Sequence, residues 1–159
     1  METNTEMRRK DRLLTEGEAW EVLRGGEHGV LSTLCPDGTP YGVPLSFAVK
    51  DRAVYFHGAN AESRKVANIQ HCPNACFTVV GSTKLLPAEF GTLYMSAVAF
   101  GRVRIVEDDA EKRLALEALL HKYSPEHVES GMKYIASAFQ AVRVLCLDVE
   151  TLTGKGRKQ

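Results

Sequence analysis

The residues best equipped for chemistry lie between Tyr55 and Ile69, in the run Y-F-H-G-A-N-A-E-S-R-K-V-A-N-I. A strand ends at His57, Gly58 allows a tight turn, and a helix begins within a few residues. Its first turn carries Ser63, Arg64 and Lys65. A helix N-terminus presents unpaired N–H groups and a partial positive charge, which suits a phosphate. A hydroxyl and two cations at the same place make a site for a dianion. The bland alternative is that Arg64 and Lys65 are solvated helix charges. Neither G-x-x-x-x-G-K-[ST] nor G-x-G-x-x-G occurs, which argues against a nucleoside triphosphate or a Rossmann-bound dinucleotide.

A second informative run is Gly42-Val43-Pro44-Leu45-Ser46-Phe47. Proline inside a strand removes a ladder donor, so the strand is an edge or is bulged there. Main chain beyond such a break is free to hydrogen-bond a ligand, and Leu45 and Ser46 offer it to the rim of a flat ring. An edge strand that ends near Pro44 explains the proline equally well. His57 fits a cofactor-site contact better than a strand-end cap. No Ser-His-Asp or Cys-His arrangement is evident. Cys35, Cys72, Cys76 and Cys146 form no C-x-x-C pair, and the histidines supply no H-x-x-x-H, so no metal site is expected. His71, His121 and His127 read as surface or helix-end residues.

The elements that must position these residues follow from pattern and punctuation. Thr15-Glu-Gly-Glu18 is a capping box for a first helix, ended by Gly25-Gly26. Strands are predicted at Gly29–Leu34, Tyr41–Val49, Ala53–His57, Ala75–Val80, Tyr94–Val106 and Ala141–Val149, with Gly101 at a bulge. A helix is predicted from Ala61 to Gln70 with Asn60 as its cap. Two further helices follow, after Asp108-Asp109 and at Ser124-Pro125. The predicted class is mainly β: a six-stranded antiparallel β-barrel with peripheral helices, in one domain spanning residues 1–159.

Composition narrows the partners. Lys plus Arg equals Asp plus Glu at 20 each, so no global charge favours nucleic acid or a membrane surface. Arg8-Arg9-Lys10 with Arg12 forms a basic arm within residues 1–14, read as solvated. Paired strands lack the clustered aromatics of a single-strand binder. No apolar run approaches the roughly 20 residues of a membrane span, and the polar N-terminus lacks the apolar core of a secretory signal. A cytoplasmic protein with reduced thiols is expected.

These segments together resemble a known family. Met7-Arg-Arg-Lys-Asp-Arg12, the capped first helix, G-V-L-S-T-L, D-G-x-P-Y-x-V-P-L-S-F, V-Y-F-H-G-A and a C-terminal T-G-K are similar to the nitroimidazole-reductase-like branch of the pyridoxamine-phosphate-oxidase-type split β-barrel flavoproteins. The resemblance runs from about Met7 to Lys155. It implies an FMN-binding homodimer with the cofactor at the subunit interface. Val43, Pro44, Leu45, Ser46 and Phe47 would line the isoalloxazine ring, with His57, Gly58 and Ala59 along its polar rim and ribityl chain. Ser63, Arg64 and Lys65 would hold the phosphate. Tyr94 and Ser96 would reach the site from the partner subunit, and Lys155 would approach the cofactor. The chain departs from the family's usual form in carrying no glycine across Asn60-Ala-Glu-Ser63. Pyridoxamine-phosphate oxidase activity itself is disfavoured, because only Gly156-Arg157-Lys158 stands where that enzyme's arginine pattern would be.

The implied chemistry is hydride transfer from NADH or NADPH to the flavin, then reduction of a small acceptor such as a 5-nitroimidazole, with no side chain needed as acid or base. The rivals are a non-catalytic flavin-binding or redox-sensing protein, and a split barrel that holds haem or a deazaflavin.

Overall fold

The computed structural model describes residues 7–158. The described residues form seven strands: β1 Gly29–Leu34, β2 Pro40–Leu45, β3 Ala48–Lys50, β4 Ala53–Ala59, β5 Asn74–Leu86, β6 Gly91–Ile105 and β7 Val142–Arg157. Four α-helices flank them: α1 Glu16–Gly25, α2 Arg64–His71, α3 Asp109–Tyr123 and α4 Val128–Ala138. All strands join one sheet in the order β2-β1-β5-β6-β7-β4-β3, and every pairing is antiparallel.

The two edges of that sheet are consecutive in the chain. Only Ser46 and Phe47 separate β2 from β3, and three Cα steps span at most roughly 11 Å. The sheet must therefore roll until its edges nearly meet. No ladder joins β2 to β3, so the roll stays open along one seam. This corrects the prediction of six strands: the run Tyr41–Val49 is two strands, not one. The division falls at Phe47, whose side chain is fully buried and whose N–H is bonded to the Tyr123 hydroxyl at 2.9 Å instead of to a ladder.

The inside of the roll is apolar. Phe47 and Phe56 each meet Phe77 edge-on, with centroids 4.7 and 4.9 Å away, and Leu31, Val79, Ala97 and Leu147 close around them. Such aromatic contacts add to the burial of the rings themselves. A second apolar layer lies on the outer side of β4 and β7, where Tyr55, Val144 and Cys146 pack against Leu116, Leu119 and Ile135 of α3 and α4. Helix α1 carries the expected capping box between Thr15 and Glu18 and buries Trp20 and Leu23. The register of β6 against β7 shifts at Phe100/Gly101. A Cβ on Gly101 would sit 1.9 Å from the Asp148 carbonyl oxygen, so the bulge needs glycine.

Helix α2 starts later than predicted, with Ser63 in the N-cap position. Asn60 does not cap it. Its N–H reaches the Ala141 carbonyl at 2.8 Å and its side-chain amide the Gln140 carbonyl at 3.2 Å, which ties the turn to the start of β7. Strands β5 and β6 also run further than expected, as a hairpin whose tip exposes Phe90 almost completely. Among the described residues no helix is long and apolar enough to cross a membrane.

Candidate functional site

Along β4 the side chains alternate. Val54 and Phe56 face the interior of the roll, while Tyr55 packs in the outer layer under α3 and α4. The same alternation sends Gly58 inward and His57 outward. The atom nearest to the place of a Cβ on Gly58 is Lys65 Nζ, at 3.7 Å. A side chain at residue 58 would therefore stand directly before the lysine. Glycine leaves that space open.

The head of α2 carries Ser63, Arg64 and Lys65. Ser63 is extended, makes no capping bond, and leaves its Oγ buried without any hydrogen-bond partner. The N–H groups of Arg64, Lys65 and Val66 have no acceptor within the helix, as in the first turn of any α-helix. Arg64 lies with its guanidinium carbon 5.3 Å over the Tyr41 ring of β2, which fixes the arginine beside the seam. A buried hydroxyl with nothing to bond is costly. It stands at the helix start, next in sequence to Arg64 and Lys65 and to the free first-turn N–H groups, a set of donors of the kind that suits a phosphate monoester.

The turn that carries this cradle is held by residues outside it. Arg143 of β7 donates from Nη1 to the Ala61 carbonyl at 3.1 Å and lies 3.5 Å from the Glu62 carboxylate. Tyr41 and Arg143 were not among the sequence candidates. Neither carries a signal there, since one reads as an ordinary strand aromatic and the other as a polar residue in an alternating strand.

Ser46 and His57 occupy a different place. Both line a cleft of about 410 Å³ between the outer face of the sheet and the α3–α4 pair, with Leu119, Leu120, Tyr123 and Ile135 among its walls. No Lys, Arg, Asp or Glu lines it. Burial against those apolar walls pushes the His57 pKa below the ordinary histidine value, which makes a neutral imidazole the main form at pH 7.

The remaining candidates divide. Val43 and Leu45 pack half-buried against the interior core, whereas Pro44 lies opposite Val30 on the outer face. Phe47 is wholly inside, so its side chain has no surface left for a ligand. Ala59 ends β4, exposed and paired with Val142. Tyr94, Ser96 and Lys155 lie on the outer face of β6 and β7, where Ser96 faces Lys155 in register. Arg12 first, and Lys155 with it, hold the Tyr94 hydroxyl below the usual tyrosine pKa. Within one chain the structure thus gathers Gly58, Ser63, Arg64 and Lys65 and sets Ser46 and His57 together in the cleft. It leaves Tyr94, Ser96 and Lys155 apart. Among the described residues no group of three or more His, Cys, Asp or Glu could hold a metal ion.

A rolled antiparallel sheet with an open seam and peripheral helices is the architecture of a split barrel. The profile of the pyridoxamine 5'-phosphate oxidase family matches residues 15–156, and the chain belongs to that family. It is similar to the crystal structure of a candidate 5-nitroimidazole antibiotic resistance protein from Bacteroides thetaiotaomicron, with 25% identity and a TM-score of 0.77 over 90% of this chain and 85% of that one. Two further similarities bear on the fold alone. One is to the flavocytochrome Anf3 from Azotobacter vinelandii, at 21% identity and a TM-score of 0.79, over 96% of this chain and 72% of that one. The other is to a FAD-binding protein from Mesorhizobium loti, at 22% identity and a TM-score of 0.62, over 92% and 98% of the two chains. Comparison with curated proteins gave no match.

Proposed function

We propose that this chain binds FMN and works as an NAD(P)H-dependent reductase of small uncharged acceptors, in the nitroimidazole-reductase-like branch of its family. The observation that carries the reading is the buried, unpartnered Ser63 Oγ at the head of α2, beside Arg64 and Lys65. The likeness to the Bacteroides protein supports the branch.

A bound flavin supplies two-electron redox chemistry. The chain's own residues bind and orient. Ser63, Arg64, Lys65 and the first-turn N–H groups of α2 hold the phosphate. Val43, Leu45 and the main chain at Ser46, on the edge strand beside the seam, would line the ring. Neutral His57 offers a hydrogen bond at the rim of the cleft. That cleft, apolar and without charged walls, suits an aromatic acceptor better than a carboxylate or a phosphate ester.

The working unit in this reading is a homodimer. Val30 and Val80 stand exposed on the outer sheet face, beside half-buried Val98 and Phe100. A second copy covering that face would bring Tyr94, Ser96 and Lys155 to the partner's cofactor. Four free thiols fit a reducing, cytoplasmic setting.

Haem is the second reading, favoured by His57 at the edge of an apolar cavity, where its imidazole would hold the iron. The absorption spectrum of the purified protein separates flavin, deazaflavin and haem. Anaerobic mixing of the FMN-loaded protein with NADH or NADPH and a 5-nitroimidazole then tests turnover. Bleaching of the flavin and reduction of the acceptor are expected. Bound FMN without turnover would make the protein a flavin carrier or sensor, and failure to take up FMN would overturn the reading altogether.

A further inference from the structure

Tyr123 ends α3 and lines the cleft together with Ser46 and His57. Its hydroxyl does something the cleft does not require. It accepts the Phe47 N–H at 2.9 Å and lies 3.0 Å from the Phe47 carbonyl oxygen, with the Glu27 carbonyl also within bonding distance. A hydroxyl has one proton, so it donates to one carbonyl at a time while it accepts from the N–H. In a hydrogen-bonded pair of an antiparallel ladder, each residue satisfies both the N–H and the C=O of the other. Here a single side-chain oxygen takes the Phe47 N–H as that neighbour would, and its one proton serves the Phe47 and Glu27 carbonyls in turn.

The substitution occurs where the ladder fails. Phe47 lies in the two-residue gap through which the chain leaves one sheet edge for the other. A buried N–H in such a gap would be orphaned without an outside partner. The Phe47 ring is clamped too: Phe77 meets it from inside, and Lys122 Nζ lies 3.5 Å over its face. Both α3 residues thus bear on the same bend, and the Tyr123 hydroxyl sets its main-chain path.

We propose that Tyr123 is a positioning residue for the cofactor ring: its hydroxyl fixes the Ser46–Phe47 bend, and the bend presents the neighbouring main chain to the ring. This rests on the FMN reading. The phosphate cradle at α2 is separate from the bend, so loss of the hydroxyl disturbs the ring's surroundings and leaves the phosphate anchor in place.

Tyr123→Phe removes the hydroxyl and keeps the ring that walls the cleft. The variant should bind FMN about tenfold more weakly, the effect of losing roughly one charge-free hydrogen bond's worth of order. The midpoint potential and the visible band of the flavin it retains should also move. Ser63→Ala serves as the contrast, since it should weaken FMN binding and leave potential and band unchanged. The same potential, band and affinity in Tyr123→Phe as in the parent would overturn the inference. If the parent takes up no FMN, the functional reading fails first and this inference with it. Should the variant not fold, amide exchange in the parent decides the matter. Phe47 should be protected although it lies outside every strand, and exchange at the rate of an open loop would overturn the clamp.

Discussion

A buried hydroxyl without a partner costs about 1–3 kcal/mol, and Ser63 carries one. Because its Oγ does not cap α2, Ser63→Ala removes that cost without forfeiting a cap. Thermal melts should show the ligand-free variant as stable as the parent or more so. With FMN present the order should reverse, since the lost hydrogen bond to a charged group is worth about 1.5–3 kcal/mol. Equal shifts with and without FMN would count against the cradle. Lys122 gives a second prediction, in pH. Burial pushes its ammonium down to about 8, whereas an unfolded lysine titrates near roughly 10.4. Between those values the unfolded chain binds more protons, so this group makes stability rise with pH across that window and stay flat below it. Attraction to the Phe47 ring offsets part of the cost of the buried charge. Lys122→Met should therefore melt higher than the parent at pH 7, and the advantage should vanish by about pH 10.5; melts across that range check it.

At the scale of elements, the glycines divide by what surrounds them. Gly101→Ala would drive a Cβ to within 1.9 Å of the Asp148 carbonyl oxygen in the β6–β7 bulge. Backbone cannot give way there as a side chain can, so a loss above about 3 kcal/mol is expected in urea unfolding. Gly17 in α1 is the counterpart: a Cβ there meets nothing within 4 Å. Gly17→Ala should stabilise by up to about 1 kcal/mol, from helix propensity alone. Local signals of this kind were legible in the sequence. The α1 capping box and the passage from β4 through Gly58 to a helix depend on neighbours a few residues away, and the Gly101 bulge shows itself as a lone glycine inside a strand although Asp148, which demands it, is distant. The Ser46–Phe47 gap was not legible. Tyr41–Val49 reads as one strand broken at most near Pro44, and the hydroxyl that holds the gap open comes from Tyr123, 76 residues further along. Asn60 failed for the same reason, because Gln140 and Ala141 claim a residue that local rules assign to a helix cap. The candidate site follows suit: Ser63, Arg64 and Lys65 are adjacent in sequence, while Tyr41 and Arg143 come to the head of α2 only through the roll of the sheet.

For the whole molecule, the outer sheet face and the cradle belong together. Tyr94, Ser96 and Lys155 lie on β6 and β7 and not at α2, and in the proposed dimer a second copy on that face would bring them to the partner's cofactor. Val80 is 61% exposed there and pairs in register with Ser96. Val80→Arg should halve the mass seen by light scattering, because it sets a charge in an apolar interface, and FMN affinity should fall with it. A parent protein that is already a monomer at micromolar concentration would contradict the dimer. The cradle itself is tested most directly by titrating the purified protein with FMN and with riboflavin, which differ only in the phosphate. FMN is expected to bind about 100-fold tighter, a difference of roughly 2.7 kcal/mol, and replacing Arg64 and Lys65 together with alanine should erase the gap. Equal affinity for the two compounds, or a gap untouched by that double replacement, would contradict a phosphate held at the head of α2.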